Sequence, residues 1–352
     1  MVNKERIFDI FRWILGGVFS FSGIVKCVDP VGTAVFVEKY LATFSLDVLL
    51  PLALPLAVVL SVVEFTLGQL LLNGKPHSIT AIATIAIMSL FTLVTLLNAT
   101  ILPIGDCGCF GDAIRLTPVQ TLLKNVMLLP LSILMIVGAR RGGINYIALF
   151  VPVLISLGVS LYSLRYQPII DFMPYDRGTN LREEVAKQRA ELENSTANFL
   201  IFRDKTTSEV LEFDASNLEC WSEPNLEYLD SRTEVIAAEN YPLAELMVTN
   251  LAGDDVTLEQ LERPGRVAWI TIYDAKALER NIEAVKRLLS SESYDSYVVA
   301  TSLDAEALTE RLGVECYMVD AMTLRTINRS KVGVMLLDNG VVVDKRNIRD
   351  ID

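Results

Sequence analysis

Cys107 and Cys109 stand one residue apart within Gly105-Asp-Cys-Gly-Cys-Phe-Gly-Asp112, a stretch that holds two of the five cysteines in 352 residues. Three glycines make this stretch a turn that brings backbone and thiols close together. The spacing lets the two Cα atoms approach within the range a disulfide tolerates, and the ring closed would be small and strained. Strained disulfides are the more oxidising ones, which suits thiol–disulfide exchange better than stapling. A permanent structural pair, or two small residues in a tight turn, is the alternative. Metal ligation is disfavoured, because the single histidine, His77, lies in another loop and two thiolates do not fill a tetrahedral zinc site. Thiolate is the reactive form, so nearby positive charge matters. Lys26 and Lys124 are the candidates to supply it, with interfacial snorkelling as their other use.

The elements that position these residues are apolar. Mean hydropathy is +0.39 with 51% hydrophobic residues, yet the chain carries 43 acids and 31 bases. The two properties are segregated: a membrane half comes first and an acidic soluble half follows. The net charge of −12 argues against nucleic acid as a partner. Apolar segments at 7–25, 48–72, 78–103, 116–138 and 144–164 are each long enough to be read as crossings. The first is read as a retained helix, not a signal peptide, since no small-residue cleavage pattern follows it. Lys4, Arg6, Lys75, Arg140 and Arg141 fall on one side of these segments, and Lys26, Lys39, Arg115 and Arg165 on the other. That distribution favours a cytoplasmic N-terminus, with the cysteine loop and everything after Leu164 facing outward. In a bacterium that side is the oxidising periplasm. Within the apolar segments Arg12 and Glu64 are ionisable, and their expected depths allow a buried Arg12–Glu64 pair.

Ser22-Gly23-Ile24 with Lys26, Tyr40, Glu64 with Gly68, and Cys107-Gly108-Cys109-Phe110-Gly111 resemble the methylamine-utilisation MauE proteins, within the DoxX-like group of four-helix membrane proteins. The resemblance covers about residues 7–138. It implies an inner-membrane bundle that helps disulfide formation or maturation of periplasmic redox proteins. More remotely, the chain resembles quinone-linked disulfide-generating bundles, which makes a quinone the cofactor to consider, although no specific motif supports one. Those bundles typically use two cysteine pairs, whereas this membrane part has one pair and Cys27.

The soluble half reads as an extended exit over 165–180, a charged helix or linker over 181–194, and a hairpin from 197–203 and 209–213. No clear pattern emerges over 217–240. From about 241, strands and helices alternate: strands 267–273, 296–301 and 315–319, helices 275–290, 305–312 and 324–328, and a hairpin of 333–338 with 341–344 around Asn339-Gly340. This order, with Gly253-Asp-Asp255 and Thr257-Leu-Glu-Gln-Leu261, resembles a redoxin-type thioredoxin-like fold. Asp274-Ala-Lys-Ala277 stands where that fold places its Cys-x-x-Cys, and Ser330-Lys-Val-Gly333 replaces its proline. Cys316 reads as a buried apolar residue, and Cys220, beside Trp221, as an isolated one, with pairing to Cys316 in the periplasm as the alternative.

The expected organisation is therefore a transmembrane bundle (1–140), a fifth transmembrane helix (141–165), a linker (166–195) and a periplasmic thioredoxin-like domain without Cys-x-x-Cys (196–352). The first functional expectation is a thiol-redox or maturation component acting on an envelope protein partner within the lipid bilayer. The second is a non-catalytic scaffold or binding module of an envelope complex. Small-molecule transport, resting on Glu64 and Arg12, is the third.

Overall fold

The computed structural model describes residues 4–74, 76–101, 108–114, 116–139, 145–215, 218–235 and 241–351. Cys107 lies outside them. Helices dominate the first half, since a chain in hydrocarbon must satisfy each backbone N–H and C=O within its own segment. They are α1 (Lys4–Val28), α2 (Pro30–Thr43), α3 (Ala53–Leu72), α4 (Ser78–Thr100), α5 (Pro118–Leu134) and α6 (Tyr146–Arg165), with the short strand β1 (Cys109–Asp112) between α4 and α5.

Four of the expected crossings have the length and hydropathy to span a membrane: Glu5–Val28, Asp47–Leu72, Ser78–Thr100 and Tyr146–Arg165. The fifth, expected over 116–138, is shorter. Thr117 and Gln120 form a capping box that starts α5 at Pro118, and after Leu134 the backbone tightens into bonds from residue i to i−3. Its 17 residues extend about 26 Å, against a hydrocarbon core of about 30 Å. Helix α2 was not legible as an apolar run. Its start comes from Asp29, whose Oδ1 accepts from the Gly32 amide at 2.8 Å, and from Pro30 in the first turn.

The second half begins with α7 (Leu181–Ser195) and an antiparallel sheet of β2 (Thr196–Asp204), β3 (Val210–Asp214) and β4 (Leu226–Val235), in the order β3-β2-β4. Strand β4 lies in the stretch whose sequence shows no clear pattern. There follow α8 (Thr257–Leu261), β5 (Arg266–Ile272), α9 (Ala275–Leu289), β6 (Ser296–Thr301), α10 (Ala305–Leu312), β7 (Cys316–Met318), α11 (Ala321–Ile327), β8 (Val332–Asp338) and β9 (Val341–Asn347). These strands form a mixed sheet ordered β7-β6-β5-β8-β9, in which β5, β6 and β7 are parallel and β8 and β9 antiparallel. Strand β5 is a continuous apolar run because both its faces are covered. Val267 and Trp269 pack with Leu324, Ile327 and Met335 on one face, and Ala268, Ile270 and Ile272 with Leu278, Val285 and Val334 on the other. Asn339 and Gly340 both take positive φ, as a tight hairpin turn requires.

The segment expected as a linker is built into this core. Tyr175, Leu181 and Val185 are buried against Trp269 and its neighbours, and the Leu181 amide donates to Gly340 O at 2.9 Å. Beside them Lys345, 7% exposed, pairs with Asp171. Burial pulls the Lys345 pKa below its ordinary 10.5 in spite of that carboxylate. Between the depressed folded value and the unfolded one, the unfolded chain binds more protons, so this lysine makes stability rise with pH. Asp171→Ala alone leaves the buried ammonium unpaired and should cost about 3–5 kcal/mol of stability, whereas Asp171→Leu with Lys345→Met should cost little or stabilise. Chemical denaturation of the single and double variants measures both, and a double variant as weak as the single one would reject the account.

Candidate functional site

Helices α1 and α3 run antiparallel in very close contact. A Cβ at Gly23 would strike the backbone of Phe65, and one at Gly68 the backbone of Ser20. Only glycine permits that approach, and it brings three polar side chains together inside the apolar bundle. Ser22 and Lys26 occupy one face of α1 at helical i, i+4 spacing. Across from them Lys26 Nζ lies 2.9 and 2.8 Å from the two carboxylate oxygens of Glu64, and 2.7 Å from Ser22 Oγ. Lys26 is 3% exposed and Glu64 1%.

The fourth member of this network comes from the cysteine loop. Lys26 Nζ donates to the Cys109 carbonyl oxygen at 2.8 Å. Ser22 Oγ lies 2.6 Å from the same oxygen and 2.5 Å from Glu64 Oε2, with one proton to give to either. The loop is thus tied by its backbone to a buried ion pair. Gly108 and Gly111 flank this point with φ of +62° and +53°, values that other residues rarely adopt.

Lys124 reaches the loop from α5. Its ammonium sits 4.3 Å from the centroid of the Phe110 ring, which also packs edge-on against Phe21 at 5.4 Å. Ser22, Glu64, Cys109, Lys124 and Asn125 line a cavity of ≈ 20 Å³, room for about one water molecule. Asn125 donates to Thr95 at 3.2 Å and Asn98 to the Tyr40 hydroxyl at 3.4 Å, which extends the polar seam between α4, α5 and α2.

The expected Arg12–Glu64 pair does not form. The antiparallel register sets Arg12 level with the end of α3, where its Nη1 donates to Leu71 O and, at 3.0 Å, to Leu72 O, while Nε contacts Asp9 at 3.3 Å. Glu64 lies eight residues before Leu72, about 12 Å along α3 and level with Ser22. Lys26 contacts the loop at a carbonyl, with its charge balanced by Glu64. Of the expected site residues, Lys26, Glu64, Lys124 and Cys109 are brought together, Arg12 lies apart from them, and Cys107 lies outside the described residues. Ser22 was legible only as part of a resemblance, although its i, i+4 relation to Lys26 marked it. Asn125, a polar residue inside an apolar helix, was missed.

Residues 4–138 match the family model of methylamine utilisation protein MauE. The match spans α1 to α5 and contains every residue of the network. The MauE-matching segment ends before α6, so the α/β half is outside it. No curated protein and no solved structure matches the chain.

In the α/β half the loop ahead of α9 carries no thiol. Asp274 caps α9 by accepting from the Ala277 amide at 2.7 Å, and it receives Lys331 Nζ at 2.7 Å. That lysine hydrogen bond holds the Asp274 carboxyl below its ordinary value. Cys316 is buried in β7, where desolvation raises its pKa and leaves it the character of a small apolar side chain.

Proposed function

We propose that the bundle is a thiol-redox component that assists disulfide exchange or maturation of envelope proteins through Cys107 and Cys109. The observation that carries this reading is the anchoring of the Cys109 carbonyl to the buried Lys26–Glu64–Ser22 network. A backbone held on one side by a membrane ion pair presents the residues around it in a defined geometry, as exchange chemistry requires. Lys124 adds a positive charge on the other side; among the described residues no carboxylate pairs with it. It is the group placed to favour a thiolate in this loop.

In the forward direction a client thiolate attacks one sulfur of the Cys107–Cys109 disulfide. The S–S bond breaks, a mixed disulfide forms, and the second cysteine leaves as thiolate. A second client thiol then displaces the loop cysteine, so the client is oxidised by two electrons and the loop reduced by two. Reoxidation of the loop passes those electrons to an acceptor of the quinone class. The α/β half takes a redoxin-type thioredoxin-like fold in this reading, supported by its strand order, and contributes no thiol chemistry. The N-terminus is cytoplasmic, and the loop and α/β half are periplasmic.

The test is trapping in cells followed by alkylation with a membrane-impermeant maleimide added from outside. Cys107 and Cys109 should be recovered as a mixture of disulfide and free thiol. Cys109→Ser, or else Cys107→Ser, should accumulate a mixed disulfide with a partner. Lys124→Met should slow alkylation about tenfold at neutral pH and little at alkaline pH, where the thiol ionises unaided. Thiols that stay fully reduced and trap nothing would leave the second reading, a non-catalytic scaffold of an envelope complex. The docking of the α/β half on α2, where Arg329 pairs with Asp29 and Arg325 with Glu38, is the observation that favours it.

A further inference from the structure

The loop before β8 makes an unusual set of contacts with the membrane half. Arg329 donates from Nε and Nη2 to Asp29 Oδ2 at 3.0 and 2.6 Å, and the two side chains are 5% and 7% exposed. One turn earlier, Arg325 forks onto both oxygens of Glu38 at 2.6 and 3.0 Å. Gln167, just past the end of α6, donates to Asn328 and Ser330 at 2.8 Å each. Tyr273 adds a bond from its hydroxyl to Arg329 O at 2.8 Å. These contacts hold α2 near both ends, because Asp29 caps its start and Glu38 lies in its second half.

Between the two held points lies Phe36. A Cβ placed on Gly108 would fall on the Phe36 ring, so the ring covers the backbone of the residue between the two cysteines. On its other side the loop is held by Lys26 and Ser22. The cysteine loop is therefore gripped between a network inside the membrane and a helix clamped from the soluble half.

We infer that Arg329 and Asp29, with Arg325 and Glu38 beside them, are positioning residues through which the α/β half presses Phe36 against Gly108 and sets the conformation of the cysteine loop. The chemical consequence rests on the thiol-redox reading; the mechanical one does not. The α/β half, whose loop ahead of α9 carries no thiol, thereby acquires a mechanical role, since its β5–β8 end grips the bundle. A buried ion pair suits such a pin, since it is weakly screened by salt and costly to break from one side.

Hydrogen exchange of full-length protein in lipid nanodiscs tests this without relying on redox activity. Asp29→Asn keeps a good helix cap for the Gly32 amide and removes only the charge. Arg329→Gln removes the opposite charge. Each should accelerate exchange of the 108–112 amides at least about tenfold, the ratio that 1.4 kcal/mol of lost local stability produces. The double variant should be no worse than the singles, because one pair is lost in all three. Amides of β5 and β6 serve as the folding control. If Asp29→Asn does not fold, Glu38→Gln, at a half-buried pair, gives the same test with an acceleration of about threefold. Loop exchange unchanged in variants whose β5 and β6 protection is native would overturn the inference. Maleimide alkylation of Cys109 on the same samples separates the two claims. Thiols inert in the unsubstituted protein defeat the redox reading alone, and unchanged loop exchange defeats the positioning alone. Loop amides released without any change in alkylation would overturn the claim that positioning sets reactivity.

Discussion

Glu64→Ala is expected to unfold the bundle more readily than any other single side-chain deletion in it. The substitution leaves the Lys26 ammonium buried with only the Ser22 hydroxyl and the Cys109 carbonyl as partners. An uncompensated charge in such surroundings costs about 3–5 kcal/mol, a large share of the stability of an ordinary domain. Lys26→Met should be milder, since the Ser22 hydroxyl still donates to Glu64 and methionine refills the space of the lysine stem. Combining Glu64→Leu with Lys26→Met should recover most of the loss, because neither desolvated charge remains. Denaturation midpoints in detergent for the three variants measure this. A Glu64→Ala protein as stable as the parent would mean that the pair is not buried in the way described. The double variant carries a second lesson, since it restores stability without the Lys26 ammonium, one of the two donors that hold the Cys109 carbonyl. Its loop should remain loose while its bundle is sound.

Gly68→Leu should separate α1 from α3. The added Cβ would meet the backbone of Ser20, which cannot move without displacing the helix. Gly23→Leu should act in the same way from the other side, against the backbone of Phe65. Overpacking of a well-filled contact typically costs about 1–3 kcal/mol, and contact with backbone puts these cases at the upper end. The polar network would lose its geometry as well, since Ser22 and Lys26 lie on the helix that moves. Crosslinking with a short bifunctional maleimide across Ser20 and Gln69, whose side chains hydrogen-bond at 3.0 Å, should be efficient in an otherwise cysteine-free Ser20→Cys, Gln69→Cys protein and should be lost when Gly68→Leu is added. Failure to crosslink, or a Gly68→Leu protein with unchanged stability, would contradict the close approach.

The sequence alone was enough for much of this chain. Apolar runs long enough to cross hydrocarbon identified the spans of α1, α3, α4 and α6, because membrane helices are specified by composition over one length scale. Alternating patterns and Asn339-Gly340 marked the sheet of the second half, and the residues from Ser22 to Gly111 marked the segment that matches the MauE model. Glu64, Lys26 and Lys124 were legible as candidates because a charge inside an apolar run has to be accounted for. Their partners were not legible. Pairing depends on the axial register of two helices, and the sequence of one helix contains no information about its offset against another. That offset, set by glycine contacts at Gly23 and Gly68, gave Glu64 to Lys26 and sent Arg12 to the carbonyls at the end of α3. Helix α2 was hidden because its start depends on a cap and not on an apolar period, and its clamping by Arg325 and Arg329 joins residues about 300 positions apart. Tertiary structure alone decided those contacts, since long-range ion pairs follow from where the fold places two surfaces and leave no local pattern in either stretch of chain.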